Sequence, residues 1–174
     1  MIEELRVYNG NAIADVVALF NEAHCFEIKG ATDKVERITV QSTFYNAAFR
    51  RITLVITESS LSRALKIAPP FWGIMVAHML NDDQISFQRV RSAKQNPEFT
   101  KELAALTLWK SEMLELLQGQ QHHRQPRDIL AQLISANTRK AELSSHICEM
   151  LLNRHLTSRS KDLVEYNVRD MCIN

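Results

Sequence analysis

The stretch from Ile13 to Lys29, IADVVALFNEAHCFEIK, constrains this chain more than any other. Ile13 to Phe20 is almost wholly apolar and β-branched, Asn21-Glu22 breaks it, and Cys25 to Lys29 resumes in extended style. The pattern predicts two short strands joined by a tight turn. A strand apolar on both faces is normally buried on both faces, yet this one carries a single acid, Asp15, between Ala14 and Val16. The partner strand carries Glu27 and Lys29 two residues apart, so both point to one face and Ile28 to the other. Folding about Asn21 brings Asp15 opposite or nearly opposite Glu27. Paired carboxylates repel across strands, and burying either without a partner is costly. A cation resolves the conflict: Lys29 on one side and a hard metal ion on the other.

The rest of the first half builds a sheet around that hairpin. Glu3 to Tyr8 has strand alternation, and Asn9-Gly10 is a type I′ hairpin signal leading into Ile13. Three antiparallel strands are expected at about 3–8, 13–20 and 24–29. Asp33 with Glu36 three residues later predicts a capping box for a helix running to about Phe49. Arg51 to Thr57 is a buried-type strand, and a right-handed crossover makes it parallel to 24–29. Ser59 to Ile67 is a short helix stopped by Pro69-Pro70. Strands follow at 72–77 and 85–91 around the polar turn Asn81-Asp82-Asp83. The order βββαβ, then αββ, predicts an α/β (α+β) fold: a small mixed sheet with crossover helices.

Several motifs in these elements resemble one superfamily. Asp15, eleven intervening residues and then Glu27-Ile28-Lys29 resembles the core signature of the PD-(D/E)XK nucleases, in the same strand-turn-strand setting. Gln41 and Tyr45 share a helix face at i and i+4, and resemble the Q-x-x-x-Y pair of recombination-type exonucleases. Pro69-Pro70-Phe71-Trp72-Gly73-Ile74, Asn96-Pro97 and Leu108-Trp109-Lys110-Ser111-Glu112 resemble, in order, motifs of a small bacterial nuclease-like family with a helical tail. The resemblance runs from about Glu3 to Leu156 and implies a restriction-endonuclease-like core. It further implies metal-dependent hydrolysis of DNA phosphodiester bonds. Asp15 and Glu27 would ligate Mg²⁺ or Mn²⁺ with the Ile28 carbonyl as third ligand. Lys29 would orient or deprotonate the attacking water, Gln41 would order that water or the substrate, and Tyr45 would contact the substrate strand. Lys34 and Arg50 join as phosphate-binding candidates. The superfamily fold usually opens with a helix bearing an assisting acid. Here the strand comes almost first, so Glu3 or Glu4 takes that place, the helix is lost, or a second copy or partner protein supplies it. The runner-up expectation is a catalytically weak or inactive module that binds nucleic acid or a protein.

From Pro97 the pattern becomes helical, with helices expected at 99–117, 127–137, 140–155 and 158–168 around a polar connector, GQQHHRQP. The division is a nuclease-like core, 1–94, and a helical extension, 95–174, packed on it. Composition sets outer bounds. Of 174 residues, 21 are Lys or Arg and 20 Asp or Glu, a formal net charge of +1, so no global field draws in nucleic acid. Cys25, Cys148 and Cys172 form no CxxC pair, which fits a reduced cytoplasmic protein without disulfides or zinc knuckles. No apolar run reaches the roughly 18 residues that span a bilayer, and the first ten residues carry no secretion-signal pattern. Trp72 and Cys25 are expected to be packing residues, and His122-His123 exposed loop.

Overall fold

The computed structural model describes the backbone of residues 1–171 except 8, 9, 82, 83 and 119, and side chains up to 158 apart from Gln120. Six strands form one sheet: β1 (Ile2–Val7), β2 (Ala12–Leu19), β3 (Ala23–Lys29), β4 (Arg51–Ile56), β5 (Gly73–Asn81) and β6 (Gln84–Arg91). Their spatial order follows the chain, β1-β2-β3-β4-β5-β6. The outer pairs are antiparallel, while β3, β4 and β5 run parallel. Each parallel step needs a crossover, and helices α1 (Ile38–Ala48) and α2 (Leu61–Ile67) supply them. Right-handed crossovers in one direction put both helices on one face of the sheet. The mixed α/β expectation holds, with strand limits within a few residues of those expected. The turns expected at Asn9-Gly10 and at Asp82-Asp83 fall on residues outside those described. Gly10 itself sits at φ +89°, a conformation glycine adopts without a Cβ clash.

Three helical expectations are corrected. Asp33 does not cap α1: its Oδ2 accepts from the Gly30 N–H at 2.8 Å, and Glu36 pairs with Arg63. A 3₁₀ turn at Val35–Arg37 comes first, and α1 begins at Ile38 without a side-chain cap. The helix expected at 99–117 is two pieces, α3 (Lys101–Ala105) and α4 (Lys110–Leu116). The restart comes from Glu112, whose carboxylate accepts the Trp109 N–H at 2.6 Å, the back-half of a capping box. Beyond α5 (Arg127–Asn137), the two helices expected at 140–155 and 158–168 are one, α6 (Lys140–Met171).

One hydrophobic core runs through both halves of the chain. Leu54, Ile56, Ile74 and Val76 of the sheet join Leu108, Met113, Leu130, Ile134, Leu143 and Leu151 of the helices, all at or near zero exposure. Each such side chain contributes about 1.5–3 kcal/mol on burial. Trp72 is also fully buried, as expected of a packing residue, and its Nε1–H donates to Asn46 Oδ1 at 2.7 Å. Asn96 closes the same junction, donating through Nδ2 to the Asn46 and Phe49 carbonyls at 2.6 and 2.7 Å. Its Oδ1 takes the Glu98 N–H, and Asn46 Nδ2 reaches Glu98 Oε2. These bonds satisfy the open C-terminal carbonyls of α1 and tie the sheet to the helical half.

Candidate active site

β3 alternates cleanly. Ala23, Cys25, Glu27 and Lys29 are buried, whereas His24, Phe26 and Ile28 are half-buried or exposed. The β2–β3 ladder is paired from Leu19↔Ala23 to Val16↔Phe26. Carried one step past its last pair, that register would set Asp15 across from Glu27. Asp15 fixes the point: its Oδ2 accepts the Ile28 N–H at 2.7 Å, standing in for a backbone acceptor.

Glu27 is fully buried, and Lys29 is 6% exposed. Lys29 Nζ donates to Glu27 Oε1 in a close ion pair. Burial raises the Glu27 pKa and Asp15 raises it further, while hydrogen bonding to Lys29 opposes the rise. Tyr45, from α1, donates to the Ile13 carbonyl at 2.6 Å and accepts from Gln41 Nε2 at 3.4 Å. With its proton on Ile13, the phenol leaves neighbouring Glu27 Oε2 without a donor. Gln41 Oε1 is likewise buried without a partner. Two unsatisfied oxygens at one site are a cost that a cation with oxygen preference would relieve. The residues therefore fit a hard ion: Asp15, Glu27 and a backbone carbonyl as donors, with water completing the shell, as Mg²⁺ commonly keeps. Among the described residues no group of three or more His, Cys, Asp or Glu gathers to hold a metal.

The structure brings together Asp15, Glu27, Ile28, Lys29, Gln41 and Tyr45, and treats the other candidates differently. Tyr45 is fully buried. Its ring has no surface for the expected contact with a substrate strand, and its hydroxyl pins β2 to α1 instead. Arg50 lies at the opposite end of β3, where Nη1 meets Glu22 Oε2 at 3.2 Å, roughly 16 Å from Glu27 at about 3.3 Å per residue. It is not part of this cluster. Lys34 is exposed on the segment that leaves β3 after Lys29, at the correct end of the strand. Cys25 packs as expected: burial, then Glu27 and Asp15, push its thiol pKa well up, which suppresses thiolate chemistry. Sequence reasoning missed Glu22, which holds both Arg50 and Arg51, and Asn46. The signal for Asn46 was available in the Trp72 indole, a buried donor that needs an acceptor.

A profile of the family described as "Bacteriophage P4 protein cII" matches residues 1–172. The chain belongs to that family. A curated relative, Protein cII of Enterobacteria phage P4, is 24% identical over 165 residues, covering 91% of this chain and 61% of the relative. The chain thus spans about three fifths of that relative's length. A solved protein of unknown function from Silicibacter pomeroyi is similar at 14% identity and a TM-score of 0.42, over 78% of this chain and 70% of that one. No helix among the described residues is long and apolar enough to cross a membrane.

Proposed function

We propose that this member of the cII family is a metal-dependent nuclease that hydrolyses DNA phosphodiester bonds on a restriction-endonuclease-like core of the PD-(D/E)XK type. One observation carries the reading. Asp15, Glu27, Lys29 and the Gln41–Tyr45 pair converge where β2, β3 and α1 meet, with two buried oxygens left unsatisfied. The sheet order from β1 to β4, with α1 as the crossover, supports it. When bound, Mg²⁺ or Mn²⁺ would neutralise charge developing on the phosphate and acidify a water ligand. Asp15 and Glu27, with the Ile28 carbonyl, would hold the ion. Lys29 places a mobile ammonium beside those carboxylates, suited to orienting a water or stabilising a developing oxyanion. Tyr45 positions β2, and with it Asp15, rather than touching DNA. Gln41, half-buried above Tyr45, aligns the water or substrate.

A second reading, a nucleic-acid or protein-binding module without cleavage, is favoured by the occlusion of Glu27 and Lys29. The test is cleavage of linear, circular and single-stranded DNA with Mg²⁺ or Mn²⁺, beside a thermal-shift titration of each metal. The nuclease reading expects metal-dependent cutting abolished by Lys29→Ala, and a metal-induced stabilisation lost in Asp15→Asn. Metal binding without cutting would favour the second reading. Neither binding nor cutting would end the catalytic proposal.

A further inference from the structure

Arg154, on α6, is drawn onto the start of α4. Its Nε donates to Glu112 Oε1 at 2.8 Å, and its Nη2 donates to Glu112 Oε2. This two-point pairing sets the guanidinium plane, and its Cζ lies 4.2 Å from the centroid of the Trp109 ring. Trp109 is nonetheless 58% exposed. With a cation over one face, the other face and the ring edge are what remain for a ligand. An indole backed by a fixed cation and open on its far side is a platform for stacking a planar ring.

The ring borders a pocket of about 400 Å³ that also includes Glu4 and Arg6 of β1, Thr107, Arg127 and Arg154. That size suits a small ligand. Arg127 is fixed in the wall, its Nη2 donating to the Leu106 and Leu108 carbonyls at 2.5 and 2.7 Å. Three guanidiniums thus stand against the carboxylates of Glu4 and Glu112. Cations and an open indole together select a ligand that is both anionic and planar.

We propose that this pocket binds a nucleotide, its base on the open face of Trp109 and its phosphate between Arg6 and Arg127. The nucleotide is either free or one unit of a single strand. The proposal stands on the helical half and β1 and does not rest on the Asp15–Glu27 site. The test is therefore run in EDTA, where loss of metal-dependent cutting has no bearing on it.

Trp109 is one of two tryptophans, and Trp72 is fully buried, so ligand at the pocket is read as quenching of the exposed indole. Thymidine monophosphate, a 5′-labelled short oligothymidylate and inorganic phosphate are titrated; in the Trp109 variants, which lose the reporter, the oligonucleotide is followed by fluorescence anisotropy and the mononucleotide by titration calorimetry. Saturable quenching is expected. Affinity should fall at least tenfold in Arg6→Ala and in Trp109→Leu, and recover in part in Trp109→Phe. Arg6 is exposed, so its variant is expected to keep the wild-type melting temperature. Binding of the mononucleotide identifies a free nucleotide, and binding of the oligonucleotide alone identifies a strand. No saturable binding of either, or binding indifferent to both Arg6→Ala and Trp109→Leu, overturns the proposal. So does phosphate binding as tightly as the nucleotides.

Discussion

Replacing Tyr45 by Phe isolates the one oxygen through which α1 holds β2. The ring stays, with its packing against Trp72 at 6.3 Å between centroids, so no cavity opens. What goes is a 2.6 Å bond to the Ile13 carbonyl and the acceptor for Gln41 Nε2 at 3.4 Å. A net hydrogen bond is worth about 1 kcal/mol, and a buried group left unpaired costs about 1–3 kcal/mol. The Gln41 contact is long, so most of the effect falls on Ile13, and we expect a loss of about 2 kcal/mol. For a chain of this size that lowers the melting temperature by roughly 4–8 °C. Urea unfolding at pH 7, followed by far-UV circular dichroism, gives the number. Gln41→Met alone should cost less than about 1 kcal/mol, and the pair should be non-additive, because both act through the same oxygen. A loss under about 0.5 kcal/mol in Tyr45→Phe would refute the anchoring role and return Tyr45 to a functional one.

Other outcomes follow from the same geometry. Glu27 has a raised pKa in the folded state, so metal binding should weaken as the pH drops through that value. A Mg²⁺ or Mn²⁺ thermal-shift series from pH 8 to 5 should show the stabilisation fading toward the acid end. Without metal the linkage has the opposite sense: the folded chain holds the Glu27 proton more tightly, so Glu27 lowers stability as pH rises from 4.5 through its folded pKa. His24 behaves the other way. Burial, aided by Arg51 and opposed by Glu22, lowers its pKa from 6.5 to about 4. Stability should therefore fall as pH drops from 6.5 to 4, by about 1–2 kcal/mol once solvent screening of the half-buried ring is allowed for. A His24→Gln variant should flatten that slope in urea midpoints. Gly73→Ala should destabilise by about 1–3 kcal/mol. Its Cβ would stand 2.5 Å from Thr53 Oγ1 and 2.9 Å from the Ala93 nitrogen, and thermal melts would report the loss.

Much of the sheet was legible because its strands are short, β-branched and bounded by turn residues, so local pattern sufficed for β2, β3 and β4. Asp15, Glu27 and Lys29 were legible for the same reason: a two-residue period and one hairpin fix their faces. What pattern could not show were choices made by distant partners. Arg50 looks like a groove cation until Glu22, on the far side of β3, claims it. Tyr45 looks like an exposed helix residue until the Ile13 carbonyl takes its hydroxyl. The break between α3 and α4 was hidden because Trp109, in the capping position, lacks the small polar side chain that usually marks one. The join within α6 was hidden because Thr157-Ser158 is a weak helix former and not a breaker.

The junction of Asn46, Trp72 and Asn96 bears on motion. Proline and asparagine between a sheet and a helical tail usually mark a swivel, and Asn96-Pro97 has that composition. Here the asparagine amide is spent on carbonyls at the end of α1, and the backbone on either side is bonded as well: Lys94 N to Phe71 O, Asn96 N to Arg50 O, and Thr100 N to Ala47 O. Amide protons at 94, 96 and 100 should exchange with solvent only when the whole domain opens. The helical half is therefore not a flap hung on this segment. Any displacement that admits a large ligand has to come from within the helices. An inserted residue at 95–96 should cost the entire fold, whereas one among Gln121–Gln125 should be absorbed.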